Sequence, residues 1–143
     1  EGVARLRGKI RFGEQPQHDT LDLALTLGTM PVGFDLATQD LTVAVRDDDD
    51  VYRVTIPGGT LHQSGPGRFV WNDPVGTIGG IRSVVLRQRG LGRVAFRLRT
   101  VRLALPNADR ADHFIEVSLR GGTADLTTTP LWRFNGRALV ANH

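Results

Sequence analysis

Residues 20–27 read Thr-Leu-Asp-Leu-Ala-Leu-Thr-Leu, with a leucine at every second position. Successive side chains of a β-strand point to opposite faces of a sheet, so this alternation predicts a strand with one apolar and one wet face. Further strands with the same period of two are predicted at residues 5–12, 41–46, 51–56, 81–88, 94–98, 101–105, 115–119 and 138–140. The count is nine or ten strands.

Glycine and proline residues separate the predicted strands. The chain has 17 glycines and 7 prolines, mostly between the predicted strands. Short strands separated by such turns predict an antiparallel β-sandwich of about nine or ten strands, Ig-like or jelly-roll-like. The length favours a single domain over residues 1–143. The alternation of apolar residues shifts by one position at Arg99 and Thr100, which predicts a β-bulge or a strand that changes sheets there.

The composition excludes several classes of site. The chain contains no cysteine, so it has no disulfide, no thiolate metal site and no cysteine nucleophile. It also has no run of 18 apolar residues, and we expect no membrane span. The sequence begins at Glu1 rather than Met, from which we expect that an upstream piece has been removed, either a signal peptide or neighbouring domains. We favour a signal peptide, and with it an extracellular or cell-surface location.

Several segments together carry a resemblance to a known kind of module. They are 6–12, 19–27, 33–35, 41–45, 55–59, 80–86 and 132–137. In these strand cores and turn glycines the chain resembles an uncharacterised β-rich module of secreted or surface proteins from high-GC bacteria. The resemblance implies an extracytoplasmic β-sandwich. It transfers no catalytic, metal-binding or cofactor-binding residue.

Positive charge is concentrated in one stretch. Residues 82–102 contain no acidic residue and seven arginines: Arg82, Arg87, Arg89, Arg93, Arg97, Arg99 and Arg102. Alternation places several of them on a wet strand face, which predicts a basic stripe for an acidic polysaccharide or an acidic protein surface. Nucleic acid is disfavoured, because aromatic residues are only 6% of the chain and none is interleaved with the arginines of the stripe on its wet face for base stacking. The alternative is that these arginines bind no ligand and only keep an exposed sheet face soluble.

Negative charge is concentrated in a turn formed by Asp47, Asp48, Asp49 and Asp50. Oxygen ligands from a loop suit Ca²⁺, which makes this turn a candidate calcium site. We favour a solvated turn that binds no metal, because consecutive side chains diverge. The four histidines are widely spaced and form no local ligand pair, so the sequence predicts no metal site and no cofactor.

The two tryptophans also have two interpretations. Exposed rings at Trp71 and Trp132 could stack on sugars, whereas buried rings would fill the core. The pattern favours the core.

No catalytic constellation is visible, so we expect a non-enzymatic module. The first hypothesis is a structural protein that assembles with copies of itself, or with other surface proteins, into a pilus-like filament or array by strand complementation and charge pairing. The exchanged or edge strand would be residues 1–12, and its side chains Leu6, Ile10 and Phe12 would contact the neighbouring molecule. Alternatively, residues 1–12 are simply the first strand of their own sheet. The second hypothesis is a carbohydrate-binding or adhesion module of a larger secreted protein.

Overall fold

The computed structural model describes residues 3–13, 18–27, 38–88, 93–101, 103–105, 108–121 and 124–142. These residues form thirteen strands and no helix. The strands are β1 (Val3–Arg11), β2 (Thr20–Leu27), β3 (Leu41–Arg46), β4 (Asp50–Ile56), β5 (His62–Gly65), β6 (Arg68–Asn72), β7 (Ile81–Gln88), β8 (Val94–Thr100), β9 (His113–Phe114), β10 (Glu116–Gly121), β11 (Ala124–Thr128), β12 (Leu131–Phe134) and β13 (Ala138–Asn142).

The strands form two antiparallel sheets, which confirms the predicted β-sandwich. The larger sheet has nine strands in the order β5-β6-β7-β8-β2-β1-β13-β12-β9, and the smaller has four in the order β11-β10-β3-β4. Five described strands, β5, β6, β9, β11 and β12, were not predicted from the sequence. The total is therefore thirteen rather than nine or ten.

The core lies between the two sheets. Alternate residues of β2, namely Leu21, Leu23, Leu25 and Leu27, are at most 2% exposed, as the period of two predicts. They belong to one cluster with buried side chains of β8 and of the smaller sheet, such as Phe96 and Val43. Burial of this one apolar face of each sheet holds the fold together.

β1 lies in the interior of the larger sheet. It pairs with β2 along one side and with β13 along the other. Leu6 and Ile10 are fully buried in the core, and Phe12 packs against it. β1 is therefore not an edge strand, and an exchange of residues 1–12 between molecules would require both ladders to open.

The predicted irregularity after Arg99 is present, but the following strand is not. β8 ends at Thr100, whose buried hydroxyl accepts from the Leu21 N–H (2.8 Å) and lies 3.2 Å from the Leu21 carbonyl. Residues 101–105 were expected to form a strand, and their described part makes only one bridge, between Leu103 and Asp19. The Asp19 carboxylate instead accepts from the Leu105 N–H (3.0 Å), which removes that group from strand pairing.

The smaller sheet is tied to the loop before β7. The Tyr52 hydroxyl, on β4, donates to the Gly79 carbonyl at 2.7 Å, and burial raises the pKa of Tyr52. In the same loop Asp73 accepts from the Thr77 hydroxyl and from nearby backbone N–H groups, which lowers the pKa of Asp73. The Tyr52 hydrogen bond thus links the smaller sheet to the loop between β6 and β7, which are neighbouring strands of the larger sheet.

The absence of a side chain at Gly8 makes room for the indole of Trp132 in the core. Trp132 is fully buried, and its indole lies where a Cβ atom at Gly8 would be. We therefore expect Gly8→Ala to lower the free energy of unfolding by about 1–3 kcal/mol, the usual cost of overpacking. Chemical denaturation with fluorescence detection measures this change.

Gly65→Ala is the matched control, because nothing lies within 4 Å of a Cβ atom built at Gly65. It should change the stability by less than about 0.5 kcal/mol, as expected for a surface substitution. If both variants are equally stable, the indole of Trp132 does not need the room at Gly8.

Candidate functional site: a basic sheet face

The outer face of the nine-stranded sheet carries most of the positive charge of the molecule. Because one face of each strand is buried, the alternate residues must point to solvent. Among the described residues this face presents one carboxylate, Asp22, and ten cationic side chains: Arg5, Arg7, Lys9, Arg11, Arg68, Arg82, Arg87, Arg97, Arg99 and Arg133. We call these eleven residues the basic face.

Charge is therefore segregated over the molecule. The whole chain has a formal net charge of +3, while the basic face has an excess of nine positive charges. The rest of the chain must then carry a net charge of about −6. The outer face of the smaller sheet has no such excess in its described part, since the guanidinium of Arg120 pairs with Asp125 (3.3 Å).

Strand register sets the spacing of the cations. Asp22 on β2 is opposite Arg99 on β8 and opposite Lys9 on β1. In the next row Ala24 is flanked in the same way by Arg97 and Arg7. Each flanking pair is two strands apart, or roughly 10 Å, since neighbouring strands are about 4.8 Å apart. The centre of the basic face is thus a regular array rather than a random cluster.

Asp22 neutralises little of this charge. Its Oδ2 lies 3.5 Å from the Arg97 Nη2 and 3.6 Å from the Arg99 Nε, so two guanidinium groups share one oxygen. All three side chains are 40–50% exposed. Exposed ion pairs of this kind contribute only about 0–1 kcal/mol to stability, so both arginines remain available to an anionic ligand.

In the part of the chain that the structure describes, Lys9 lines three depressions along the basic face. Two also share Asp22, one lying towards Arg82 and the other towards Arg97. The third, of about 830 Å³, lies at the end of β1 beside Arg11 and the turn before β13.

The end depression combines cations with aromatic rings. Arg11, Arg110 and Arg137 line it, together with Phe12 and Phe134. The two rings meet edge to face with centroids 6.2 Å apart, and the guanidinium of Arg110 lies 4.5 Å from the centre of the Phe12 ring. This stacking holds Arg110 at the rim, where it extends the basic face beyond the strands.

The structure brings together part of the predicted basic stripe. Arg82, Arg87, Arg97 and Arg99 lie on the basic face, and the exposed Arg93 immediately precedes β8. Arg89 and Arg102 lie outside the described residues. Sequence reasoning missed the cations of β1, although Arg5, Arg7, Lys9 and Arg11 alternate visibly with Leu6, Gly8 and Ile10.

The tryptophans do not form a sugar-stacking platform. Trp132 is fully buried against Gly8, so its ring cannot reach a ligand, and the interpretation of Trp132 as a stacking residue is wrong. Trp71 is half-buried and packs against the core. The core interpretation therefore describes both residues better.

Within the acidic turn, the side chains of Asp47 and Asp50 contact different partners. Asp47 is near His113, Asp50 lies 3.8 Å from Arg46, and the Asp47 Oδ1 accepts from the Asp49 N–H (3.0 Å). Asp48 shares one depression with Asp47, Asp109 and Glu116, and we call these four residues the acidic corner. The turn as a whole does not converge on one point, as calcium coordination by all four would require.

No helix among the described residues is long and apolar enough to cross a membrane. Comparisons with family models, with curated proteins and with solved structures found no match to this chain.

Proposed function

We propose that this domain is a non-enzymatic binding module for an acidic polysaccharide, which lies along the basic face. The observation that carries the proposal is the array of ten cations that the described residues of this face present, with a single, shared carboxylate among them. Nine of the ten are arginines, whose planar guanidinium groups form paired hydrogen bonds with carboxylate and sulfate oxygens. Such polymers occur outside cells, so the proposal includes an extracellular or cell-surface location.

The chemistry of the face favours a polysaccharide over nucleic acid. The strands that form its centre, β1, β2, β7 and β8, present no described aromatic side chain to solvent there, and Phe96 of β8 is buried. Proteins that bind single-stranded nucleic acid stack bases on such rings. A centre whose described residues present cations and no exposed aromatic ring suits a flexible polymer recognised through its regularly spaced acidic groups.

The double variant Lys9→Gln/Arg97→Gln tests the proposal. With each exposed ion pair contributing about 0.2–1 kcal/mol, binding to polygalacturonate should weaken roughly two- to thirtyfold. Binding should also weaken as salt rises, because exposed charges are screened within about 8 Å at physiological ionic strength. Isothermal titration calorimetry at two salt concentrations measures both effects, with neutral dextran as the ligand control.

Two further variants sharpen this test. Asp22→Asn should strengthen binding, because it removes the one described carboxylate of the basic face, which repels an anionic ligand, while leaving stability nearly unchanged. Arg53→Gln removes an exposed cation from the outer face of the smaller sheet and should have no effect. Equal weakening by Arg53→Gln would show an effect of net charge alone. No binding to polygalacturonate, or tighter binding to single-stranded DNA, would contradict the proposal.

A second candidate function is self-association into a filament or surface array, in which the basic face docks on the acidic corner of another copy. The observation that favours it is the presence of both surfaces on one chain. A contact between two different surfaces does not close on itself and produces open assemblies. Docking of this kind uses charge alone and leaves β1 in its own sheet.

Sedimentation velocity at low and physiological salt tests this second function. We expect larger species at low salt, and we expect Arg93→Glu/Arg97→Glu to abolish them, because one change puts negative charge on the basic face and the other puts it beside that face, immediately before β8. The control Arg53→Glu should assemble like the unchanged protein. A strictly monomeric protein at high concentration and low salt would rule out this contact.

A further inference from the structure

We propose a binding site for a divalent transition-metal ion of the zinc type, formed by Asp47, Asp109 and His113. One ligand atom from each residue lies within 4.8 Å of the others. The site is distinct from the basic face, because it lies in the depression between the turn after β3 and the strand β9. Its donor set is one imidazole nitrogen and two carboxylates.

The hydrogen bonds of His113 carry the argument. Its Nδ1 lies 2.6 Å from the carbonyl oxygen of Ala111, which can only accept, so Nδ1 carries a proton and donates it. In the neutral imidazole the other nitrogen, Nε2, then has a lone pair and no proton. That lone pair faces the Asp47 Oδ2 at 3.2 Å. Two acceptors at this distance repel each other unless a cation or a second proton lies between them.

A metal ion fits between these atoms. Ligands about 2.1 Å from a metal are about 3.4 Å apart in a tetrahedral site and about 3.0 Å apart in an octahedral one, close to the observed 3.2 Å. A histidine that donates its other N–H to a backbone carbonyl is the usual arrangement in protein metal sites, because the hydrogen bond fixes the tautomer and the ring orientation.

The two carboxylates differ in burial. The Asp47 side chain is only 9% exposed and is held by the Asp49 N–H, so one ligand is preset. Asp109 is exposed and can close on the ion by rotation of its side chain. The mixed nitrogen and oxygen donors suit Zn²⁺ better than Ca²⁺ or Mg²⁺, which prefer oxygen ligands alone.

The position of the site predicts its effect. Asp47 follows β3 of the smaller sheet, while His113 belongs to β9 at the edge of the larger sheet. A bound ion would therefore link the two sheets at one end of the sandwich. Because the unfolded chain lacks the preformed site, the ion should stabilise the folded state.

Calorimetric titration of the metal-free protein with Zn²⁺ tests the site. We expect one ion per chain and a rise of several degrees in the melting temperature, whereas Ca²⁺ and Mg²⁺ should leave that temperature unchanged. Co²⁺ should give visible absorption bands of a nitrogen-ligated site. A protein that binds no Zn²⁺ at micromolar concentration, or one that responds equally to Ca²⁺, would overturn the proposal.

Three variants locate the ion. Asp109→Asn should weaken Zn²⁺ binding more than about tenfold while leaving the melting temperature in EDTA unchanged, since Asp109 is exposed. His113→Ala should abolish the Co²⁺ bands. His62→Ala, which removes an exposed histidine from β5, is the control and should bind as the unchanged protein does. The proposed site would be wrong if the Asp109→Asn and His113→Ala variants bound Zn²⁺ as tightly as the unchanged protein. It would also be wrong if His62→Ala lost Zn²⁺ binding.

Discussion

Burial of one face of the nine-stranded sheet beneath the four-stranded sheet is the constraint on which the molecule depends. It places Leu6, Leu23 and Leu98 in a common core, and it forces the alternate residues of the same strands to solvent. Arg7 and Arg97 point outwards for the same reason that their neighbours point inwards. The core and the basic face are thus two consequences of one alternating pattern.

The same pattern explains which parts of the fold could be predicted. Long strands with strict alternation, such as β2, were recognised from the sequence because the polarity of each residue indicates whether its side chain points to the core or to solvent. Short strands such as β9, with two residues, contain too few positions to show a period. The prediction of a strand at residues 101–105 was wrong because the Leu105 N–H donates to the Asp19 carboxylate instead of to a neighbouring strand. Asp19 is 86 residues from Leu105, and local sequence does not reveal a partner at that distance.

The sites were predictable only in part for a related reason. The acid-free run of arginines indicated a basic stripe, but the contribution of Lys9 depends on the order β8-β2-β1, which joins segments far apart in the chain. His113 and Asp47 are 66 residues apart, so no local spacing marks them as partners. Conversely, Trp132 was a candidate for stacking on sugars from the sequence, and its buried contact with Gly8 excludes that role.

Nuclear magnetic resonance during a titration with a short oligogalacturonate tests the central claim most directly. With ¹⁵N-labelled protein, the account predicts the largest shifts at the side-chain Nε–Hε groups of Arg7, Arg97 and Arg99 and at the backbone amides of β1, β2 and β8. The Nε–Hε group of Arg53, on the opposite sheet, should not shift. Shifts centred on Arg53 and Arg120, or spread evenly over both sheets, would contradict the assignment of the basic face as the binding surface.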